Sequence, residues 1–178
     1  MIVKIIHQET VYQGRAFTVR RDEVSFPNQY SMHLDIVQHP GAVTILPVDA
    51  VGNILFVRQY RHATGKELRE LPAGTLNTDE PPETCARREI REETGFAAEN
   101  MVKLGEFFLA PGYSTEYMHV YLATGLYSAP LPGDQDEFLT LEPIPIEKAY
   151  QMAIEGKLQD GKSLAALLLA REALKQTR

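Results

Sequence analysis

Residues 74–96, GTLNTDEPPETCARREIREETGF, decide the fold of this chain and indicate its chemistry. They combine a glycine turn, a proline suited to a helix start and a run of closely spaced carboxylates. Pro82 lacks the N–H that would be unpaired in a first helical turn, and its φ is already helical. Gly95 can adopt the left-handed conformation that closes a helix. The stretch therefore predicts a helix that begins at Pro82 and ends near Thr94.

The predicted helix has an apolar face and an acidic face. Ala86 and Ile90 are four residues apart and are expected to face the core, whereas Glu89, Glu92 and Glu93 share another face. Like charges at this spacing destabilise an isolated helix by roughly 0.2–0.5 kcal/mol per pair. A cation should offset this repulsion, and Mg²⁺ or Mn²⁺ prefers such oxygen ligands. The competing interpretation is an ordinary solvated helix face.

The turn before the helix favours the metal site over the solvated face. Residues 70–74, ELPAG, form a rigid turn that can bring the backbone carbonyl of Ala73 towards the carboxylates. Arg88 can pair with Glu92 one turn later or brace the loop through Glu80. We favour bracing over substrate contact for this arginine.

Composition agrees with a compact enzyme and excludes several other classes. A chain of 178 residues suits one domain, or a domain with a small extension. The net charge of −6, without a basic run, argues against a general binder of nucleic acid or of a membrane surface. The single cysteine, Cys85, excludes an intrachain disulfide and fits a reducing compartment. No long apolar segment or signal-like N-terminus is present, so we expect a cytoplasmic protein.

Alternating strands and helices predict a mixed α/β domain with helices on both faces of a sheet. Strand patterns at residues 2–6, 16–19 and 32–37 predict a small antiparallel N-terminal unit. The apolar run at 42–48 suits a buried central strand, with residues 54–61 pairing back on it as a hairpin. Further strands are expected near residues 102–108, 117–124 and 138–143. Helices are expected at 146–155 and 163–175, the latter capped by Ser163.

The spacing of residues 74–96 resembles the signature box of the Nudix hydrolase family. Five residues separate Gly74 from Glu80, and seven more lead to REIREETGF at 88–96, so every fixed position of the Nudix box is present. The resemblance implies an α/β/α sandwich around a mixed sheet, in which the box forms a loop, a helix and a loop. We expect a β extension over residues 1–38 and the Nudix domain over residues 39–178.

Motifs outside the box resemble the ADP-ribose pyrophosphatase group of the family. Pro111 lies sixteen residues after Gly95, and the segments 39–43 (HPGAV), 58–61 (RQYR) and 70–74 (ELPAG) agree with that group. The resemblance implies Mg²⁺-dependent hydrolysis of ADP-ribose to AMP and ribose 5-phosphate, or of a closely related nucleoside diphosphate sugar. The alternatives are a Nudix hydrolase of another specificity, such as GDP-mannose or diadenosine polyphosphates, and a nucleotide-sensing domain that hydrolyses nothing.

The resemblance also assigns roles to the carboxylates. Glu89 and Glu93 would be the principal metal ligands, with Glu92 sharing a second ion and Ala73 supplying its carbonyl. In some family members the residue at Glu93 serves as the base, whereas in the ADP-ribose group the base comes from a late loop. Here that loop is residues 131–138, LPGDQDEF, in which Glu137 is the best match and Asp136 and Asp134 are alternatives. The competing interpretation is that these loop acids only keep the surface soluble.

Candidate substrate contacts lie before the box. Arg61 offers forked donors that match phosphate oxygens, although an ion pair with Glu67 or Glu70 is an equal alternative. Glu70 would hydrogen-bond the nucleotide or support the loop. An aromatic side chain should stack on the adenine, and the resemblance suggests Phe17 or Tyr12.

The N-terminal strands predict a homodimer. Three short strands without a helix to cover them are marginally stable alone, so they should pack on another surface. In the ADP-ribose pyrophosphatase group this extension is exchanged across a two-fold dimer and helps to form the adenine pocket. The resemblance therefore implies a homodimer with composite sites.

Overall fold

A computed structural model describes residues 2–133 and 138–175, and this part of the chain forms ten strands and three α-helices. The strands are β1 (Lys4–Gln13), β2 (Thr18–Ser25), β3 (Ser31–Gln38), β4 (Ala42–Pro47), β5 (Asn53–Arg61), β6 (Lys66–Glu70), β7 (Ala73–Thr75), β8 (Phe96–Phe108), β9 (Tyr117–Ser128) and β10 (Thr140–Pro145). The helices are α1 (Pro82–Thr94), α2 (Ile146–Ile154) and α3 (Gly161–Lys175). The chain divides into two compact units, of which the first runs to Gly41 and also includes Phe107–Tyr117. Over the described residues, no helix is both long and apolar enough to cross a membrane.

The first unit is built on an antiparallel sheet in the order β1-β2-β3, which confirms the predicted N-terminal β extension. Every residue of β1 is exposed, whereas β2 carries the buried side chain of Val24. The segment around Pro111 joins this unit through backbone bonds, since Val37 N–H donates to the Tyr113 carbonyl at 2.7 Å. The edge strand β1 therefore presents its side chains to the surroundings of the unit.

The second unit contains two sheets. A mixed four-stranded sheet has the order β7-β4-β9-β8, in which β4 runs antiparallel to β7 and parallel to β9. An antiparallel three-stranded sheet has the order β10-β5-β6. The helix α1 packs against β4 and β7, and α3 also contacts β4. This is the mixed α/β architecture, with the mixed sheet and the helices that the sequence predicts.

One hydrophobic core cluster of the second unit lies between β4 and α1. All six residues of β4 are buried, which confirms the predicted central strand. Val43 and Ile45 pack against Ala86 and Ile90 of α1, and all four side chains are fully buried. The boundaries of α1 also match the prediction, because Gly95 closes it with a φ of 77°.

Cys85 belongs to the same core cluster and is fully buried. Burial raises the pKa of its thiol to about 12. The group therefore stays protonated at neutral pH and acts as a packing residue.

The predicted hairpin between residues 42–48 and 54–61 is wrong. A single bridge, Val48 with Ile54, joins the two segments, and β4 and β5 belong to different sheets. Both edges of β4 are taken by β7 and β9, so no edge remains for β5. The Asp49 carboxylate turns the chain between the sheets by accepting the N–H groups of Val51 and Asn53 at 3.0 and 2.7 Å.

Candidate active site

Gly74 brings the backbone of β7 directly against the Glu89 carboxylate. A Cβ atom at position 74 would lie 1.8 Å from Glu89 Oε1, a separation that no side chain tolerates. Glu89 is itself buried on α1, with only 8% of its surface exposed. Only glycine therefore leaves room for this carboxylate beside the turn.

Arg88 holds three carboxylates around one guanidinium group. Its Nη1 lies 2.6 Å from Glu89 Oε1 and 2.8 Å from Glu92 Oε2. Its Nε and Nη2 donate to the two oxygens of Glu80, each at 3.0 Å. These hydrogen bonds lower the pKa of Glu80 to about 2 and raise the pKa of Arg88. The predicted bracing through Glu80 is confirmed, and the same guanidinium also offsets the repulsion along α1.

Glu93 turns towards the 70–74 turn. Its Oε1 accepts the N–H of Ala73 at 3.3 Å. The hydrogen bonds that Arg61 donates to Glu70 are the largest cause of the raised pKa of Arg61, and the Glu93 charge raises it further. Glu93 therefore contacts the 70–74 turn at Ala73, and Arg61 contacts the same turn at Glu70.

Arg61 forms a side-on, two-bond ion pair with Glu70. Its Nε and Nη2 lie 2.8 and 2.7 Å from the Glu70 oxygens, while Glu67 pairs instead with Arg58 at 2.6 Å. The Glu70 side chain is 3% exposed and that of Arg61 is 42% exposed. Burial alone would raise the pKa of Glu70, but hydrogen bonding from Arg61 and the charge of Lys162 lower it to about 2. A buried carboxylate therefore orients a half-exposed guanidinium.

The start of α3 supplies polar groups that the sequence interpretation missed. Asp160 caps this helix, because its Oδ2 accepts the backbone N–H of Ser163 at 3.0 Å. The predicted cap at Ser163 is therefore wrong, since an N-cap carboxylate accepts the N–H three residues on. Lys162 is 8% exposed and donates to Glu70 and to Asp160. Its position in an apolar stripe, four residues before Ala166, was the available signal.

The late loop begins against the end of α1. Ala129 N–H donates to the Gly95 carbonyl at 3.0 Å, and Leu131 N–H donates to the Arg91 carbonyl at 3.3 Å. Arg91 Nε in turn donates to the Ala129 carbonyl at 2.8 Å. The predicted acids of this loop lie outside the described residues; they are Asp134, Asp136 and Glu137.

The two aromatic candidates for adenine stacking belong to the first unit. Phe17 and Tyr12 are 42% and 56% exposed, and their ring centroids are 6.1 Å apart. Phe17 also lines a cavity of about 450 Å³, together with Arg15 and His39. An exposed aromatic at the wall of a cavity is available to a planar ligand.

The donor chemistry of the acidic face fits a hard divalent cation. Its groups are the carboxylates of Glu89, Glu92 and Glu93 with the carbonyl of Ala73, all of which are oxygen ligands. Glu89 and Glu92 already converge on one cationic nitrogen of Arg88. Within residues 2–133 and 138–175, no three His, Cys, Asp or Glu side chains form a ready metal-holding group. A cation there would have to draw Glu93 and the Arg88-bound carboxylates together.

Comparisons with known proteins agree on one family. Residues 38–167 match the NUDIX domain. A methanol dehydrogenase activator from Bacillus methanolicus is 36% identical over 97% of this chain and 95% of its own length. A protein named ADP-ribose pyrophosphatase from Mycobacterium tuberculosis is 40% identical over 92% of this chain and 80% of its own length. A protein of the same name from Bacillus subtilis strain 168 is 34% identical over 96% of this chain and 95% of its own length.

Comparison with solved structures gives the same result. The crystal structure of an ADP compounds hydrolase superposes with a TM-score of 0.88 and 26% sequence identity. The match covers 99% of this chain and 96% of the solved one. The α/β/α sandwich with its antiparallel N-terminal sheet is therefore shared with that hydrolase.

The Gly74→Ala variant tests the close approach of the turn to Glu89. The added methyl group must displace the Glu89 carboxylate, because it would lie 1.8 Å from Oε1, and this displacement disturbs the ion pair of Glu89 with Arg88. We expect the divalent metal concentration needed for half-maximal turnover to rise about tenfold or more, with a much smaller change in thermal midpoint. Val51→Ala, at an 82% exposed position, serves as a control that should change neither quantity. An unchanged metal requirement in Gly74→Ala would contradict the assigned role of the glycine.

The acid sensitivity of the fold tests the carboxylate pairing. The pKa values of Glu70 and Glu80 fall from 4.5 to about 2 in the folded protein. Carboxylates with lowered folded pKa values stabilise the protein above pH 4.5, and this contribution is lost as the pH falls towards 2. Urea unfolding in this window should show stability falling steeply in the wild type and less steeply in Glu80→Gln. Equal slopes in the two proteins would show that Arg88 does not hold Glu80 ionised.

Proposed function

Because this chain belongs to the Nudix family of hydrolases, we propose that it cleaves the pyrophosphate bond of ADP-ribose, giving AMP and ribose 5-phosphate. Mg²⁺ is the proposed cofactor, with Mn²⁺ as a possible substitute. The observation that carries the proposal is that Arg61 and Glu93 both contact the 70–74 turn, Arg61 at Glu70 and Glu93 at Ala73, because a diphosphate needs cationic and metal-held partners at one place.

The proposed chemistry follows from the charge of the substrate. Two negative phosphates repel an incoming nucleophile, so hydrolysis needs positive charge against their oxygens and a base for water. When bound, Mg²⁺ supplies that charge as a Lewis acid and template. We assign Glu89 and Glu93 as its principal ligands, with Glu92 sharing a second ion and the Ala73 carbonyl completing the set.

Arg61 is the proposed phosphate-binding residue. Its pairing with Glu70 uses Nε and Nη2, and a guanidinium has five N–H donors in all. Among the residues that the structure describes, the donors on Nη1 are left for a second acceptor on the half-exposed side of the group. A phosphate oxygen matches them in charge and geometry. Glu70 then supports Arg61 and the turn.

Glu137 is the proposed base that takes a proton from the attacking water. The water oxygen forms a bond to one phosphorus, the bond from that phosphorus to the bridging oxygen breaks, and the second phosphate leaves. A carboxylate committed to a metal ion accepts a proton less readily than a free one, which disfavours Glu93 for this role. The position of Gly133 supports the choice, because a Cβ atom at this residue, which is four positions before Glu137 in the sequence, would lie 3.5 Å from the Glu92 carbonyl oxygen.

The first unit is proposed to serve dimerisation and adenine binding. Exposed apolar side chains on β1 include Ile5 and Ile6, at 58% and 55% exposure, and a second copy of the chain would cover them. Phe17 is the proposed adenine-stacking residue, with Tyr12 as the alternative. Light scattering that gave only the 20.0 kDa monomer mass would contradict the dimer.

We further propose a cytoplasmic location, consistent with the unpaired Cys85.

A substrate panel tests the proposed activity. Purified protein with Mg²⁺ should release AMP from ADP-ribose with a kcat/KM at least about tenfold above those for GDP-mannose and diadenosine polyphosphates. A higher kcat/KM for either competitor would replace the proposed substrate. Absence of hydrolysis with every diphosphate would favour the nucleotide-sensing alternative.

Two isosteric variants separate the proposed ligand from the proposed base. Glu93→Gln should lose nearly all turnover, about a hundredfold or more, because a neutral amide binds Mg²⁺ poorly. Glu137→Gln should lower kcat by about 10²–10⁴-fold while leaving Mn²⁺ affinity close to that of the wild type. Turnover and Mn²⁺ binding measured by electron paramagnetic resonance check both. Wild-type kcat in either variant would refute the role assigned to that residue.

A further inference from the structure

Lys162 is a buried cation within the apolar stripe of α3. It lies four residues before Ala166 and eight before Ala170, and both alanines are fully buried. Lysine is almost never buried unless it is paired. Here its Nζ donates to the Glu70 carboxylate and, at 3.0 Å, to Asp160 Oδ2. The lysine therefore joins the start of α3 to the end of β6.

The next residue fixes the backbone at the same place. Ser163 Oγ accepts the N–H of Leu71 at 2.7 Å and donates to Asp160 Oδ2. Leu71 leads into the turn, where the Pro72 carbonyl accepts the N–H of Ile45 at 2.8 Å. The start of α3 thus holds the residue after Glu70, and β4 holds the turn itself. We call Asp160, Lys162 and Ser163 the α3 clamp.

Within the four-residue cluster of Arg61, Glu70, Asp160 and Lys162, the charges balance only when the lysine is present. Glu70 and Asp160 carry two negative charges, and Arg61 and Lys162 carry two positive charges. Both cations share Glu70 Oε2, and the Asp160 charge also reaches Arg61. Without Lys162, Arg61 would face two carboxylates alone. It would then be drawn towards them, away from its half-exposed position.

We propose that Lys162 is a positioning residue. By neutralising Glu70 and Asp160 from the start of α3, it keeps Arg61 directed at the substrate diphosphate. The inference rests on the proposed function, because it takes Arg61 as the phosphate-binding group. In this role Lys162 contacts neither the substrate nor the metal and acts through Arg61. Ser163 assists by holding Leu71, so that Glu70 and the turn keep one geometry.

A double-mutant cycle between Lys162 and Arg61 tests the proposal. The probe is the non-cleavable α,β-methylene analogue of ADP-ribose, and its Kd is measured by calorimetry in the presence of Mg²⁺. Lys162→Met should weaken binding about tenfold when Arg61 is present, and about twofold or less in the Arg61→Ala background. Lys162→Arg should restore most of the loss, since it returns the positive charge. Mn²⁺ affinity without the analogue should stay unchanged in Lys162→Met.

Controls separate positioning from general damage to the fold. Lys157→Met removes an exposed lysine near the end of α2, whose side chain is 60% exposed, and should leave Kd unchanged. Lys162→Gln keeps amide donors for Glu70 and Asp160 and replaces Lys162→Met in the cycle if the latter fails to fold. Thermal unfolding of each variant shows which proteins are folded under the assay conditions.

Each outcome distinguishes the inference from the proposed function. An equal loss of binding in both Arg61 backgrounds would overturn the inference, because the lysine would then act independently of Arg61. Binding with the predicted coupling, but no hydrolysis of ADP-ribose, would overturn the proposed function and leave the inference intact. Failure of the wild type to bind the analogue would overturn the inference as well.

Discussion

Repulsion among the carboxylates of α1 is the constraint on which the rest of the site depends. Glu89, Glu92 and Glu93 occupy neighbouring turns, and Glu89 is buried. An ionised carboxylate is costly to bury without a partner. Arg88 provides that partner for two of the three acids, and Ala73 N–H provides a hydrogen bond for the third. A divalent cation brought to this face would replace hydrogen bonds that are already directed at the same oxygens.

The surrounding fold makes this concentration of charge tolerable. The apolar face of α1 packs on β4, which is buried along its whole length, so the acidic face has a fixed direction. Gly74 then allows β7 to approach Glu89 without a side chain between them. On the other side of the 70–74 turn, the α3 clamp holds Leu71 and neutralises Glu70. Carboxylates, turn and guanidinium are thus carried by regular elements of one unit, which favours a preorganised site.

Local signals in the sequence predicted the parts of the structure that local chemistry determines. Pro82 and Gly95 defined α1 because helix ends depend on the residues at those positions. The continuous apolar run of β4 predicted a buried strand, because this signal also lies within the segment itself. The partner of β5 could not be predicted in this way, since strand pairing is decided by which sheet edges remain free. Proximity along the chain favoured a hairpin, whereas β7 and β9 occupy both edges of β4.

The candidate site shows the same division. The shared face of the box carboxylates and the pairing of Arg88 with Glu92 could be predicted from their spacing, because residues three and four apart meet on a helix. The contact between Lys162 and Glu70 spans 92 residues, and no sequence pattern near either residue predicts that the two meet. A charged residue in an apolar stripe indicated only that Lys162 needed a partner. The identity of that partner could be read only from the folded structure.

The most direct measurement is an anomalous-scattering crystal structure with Mn²⁺ and the α,β-methylene analogue of ADP-ribose. We expect manganese peaks within coordination distance, about 2.0–2.3 Å, of oxygens of Glu89 and Glu93 and of the diphosphate. Arg88 would then have released at least one of the two carboxylates that its Nη1 contacts, Glu89 and Glu92. Manganese peaks located elsewhere, with Arg88 still bound between Glu89 and Glu92, would contradict the account.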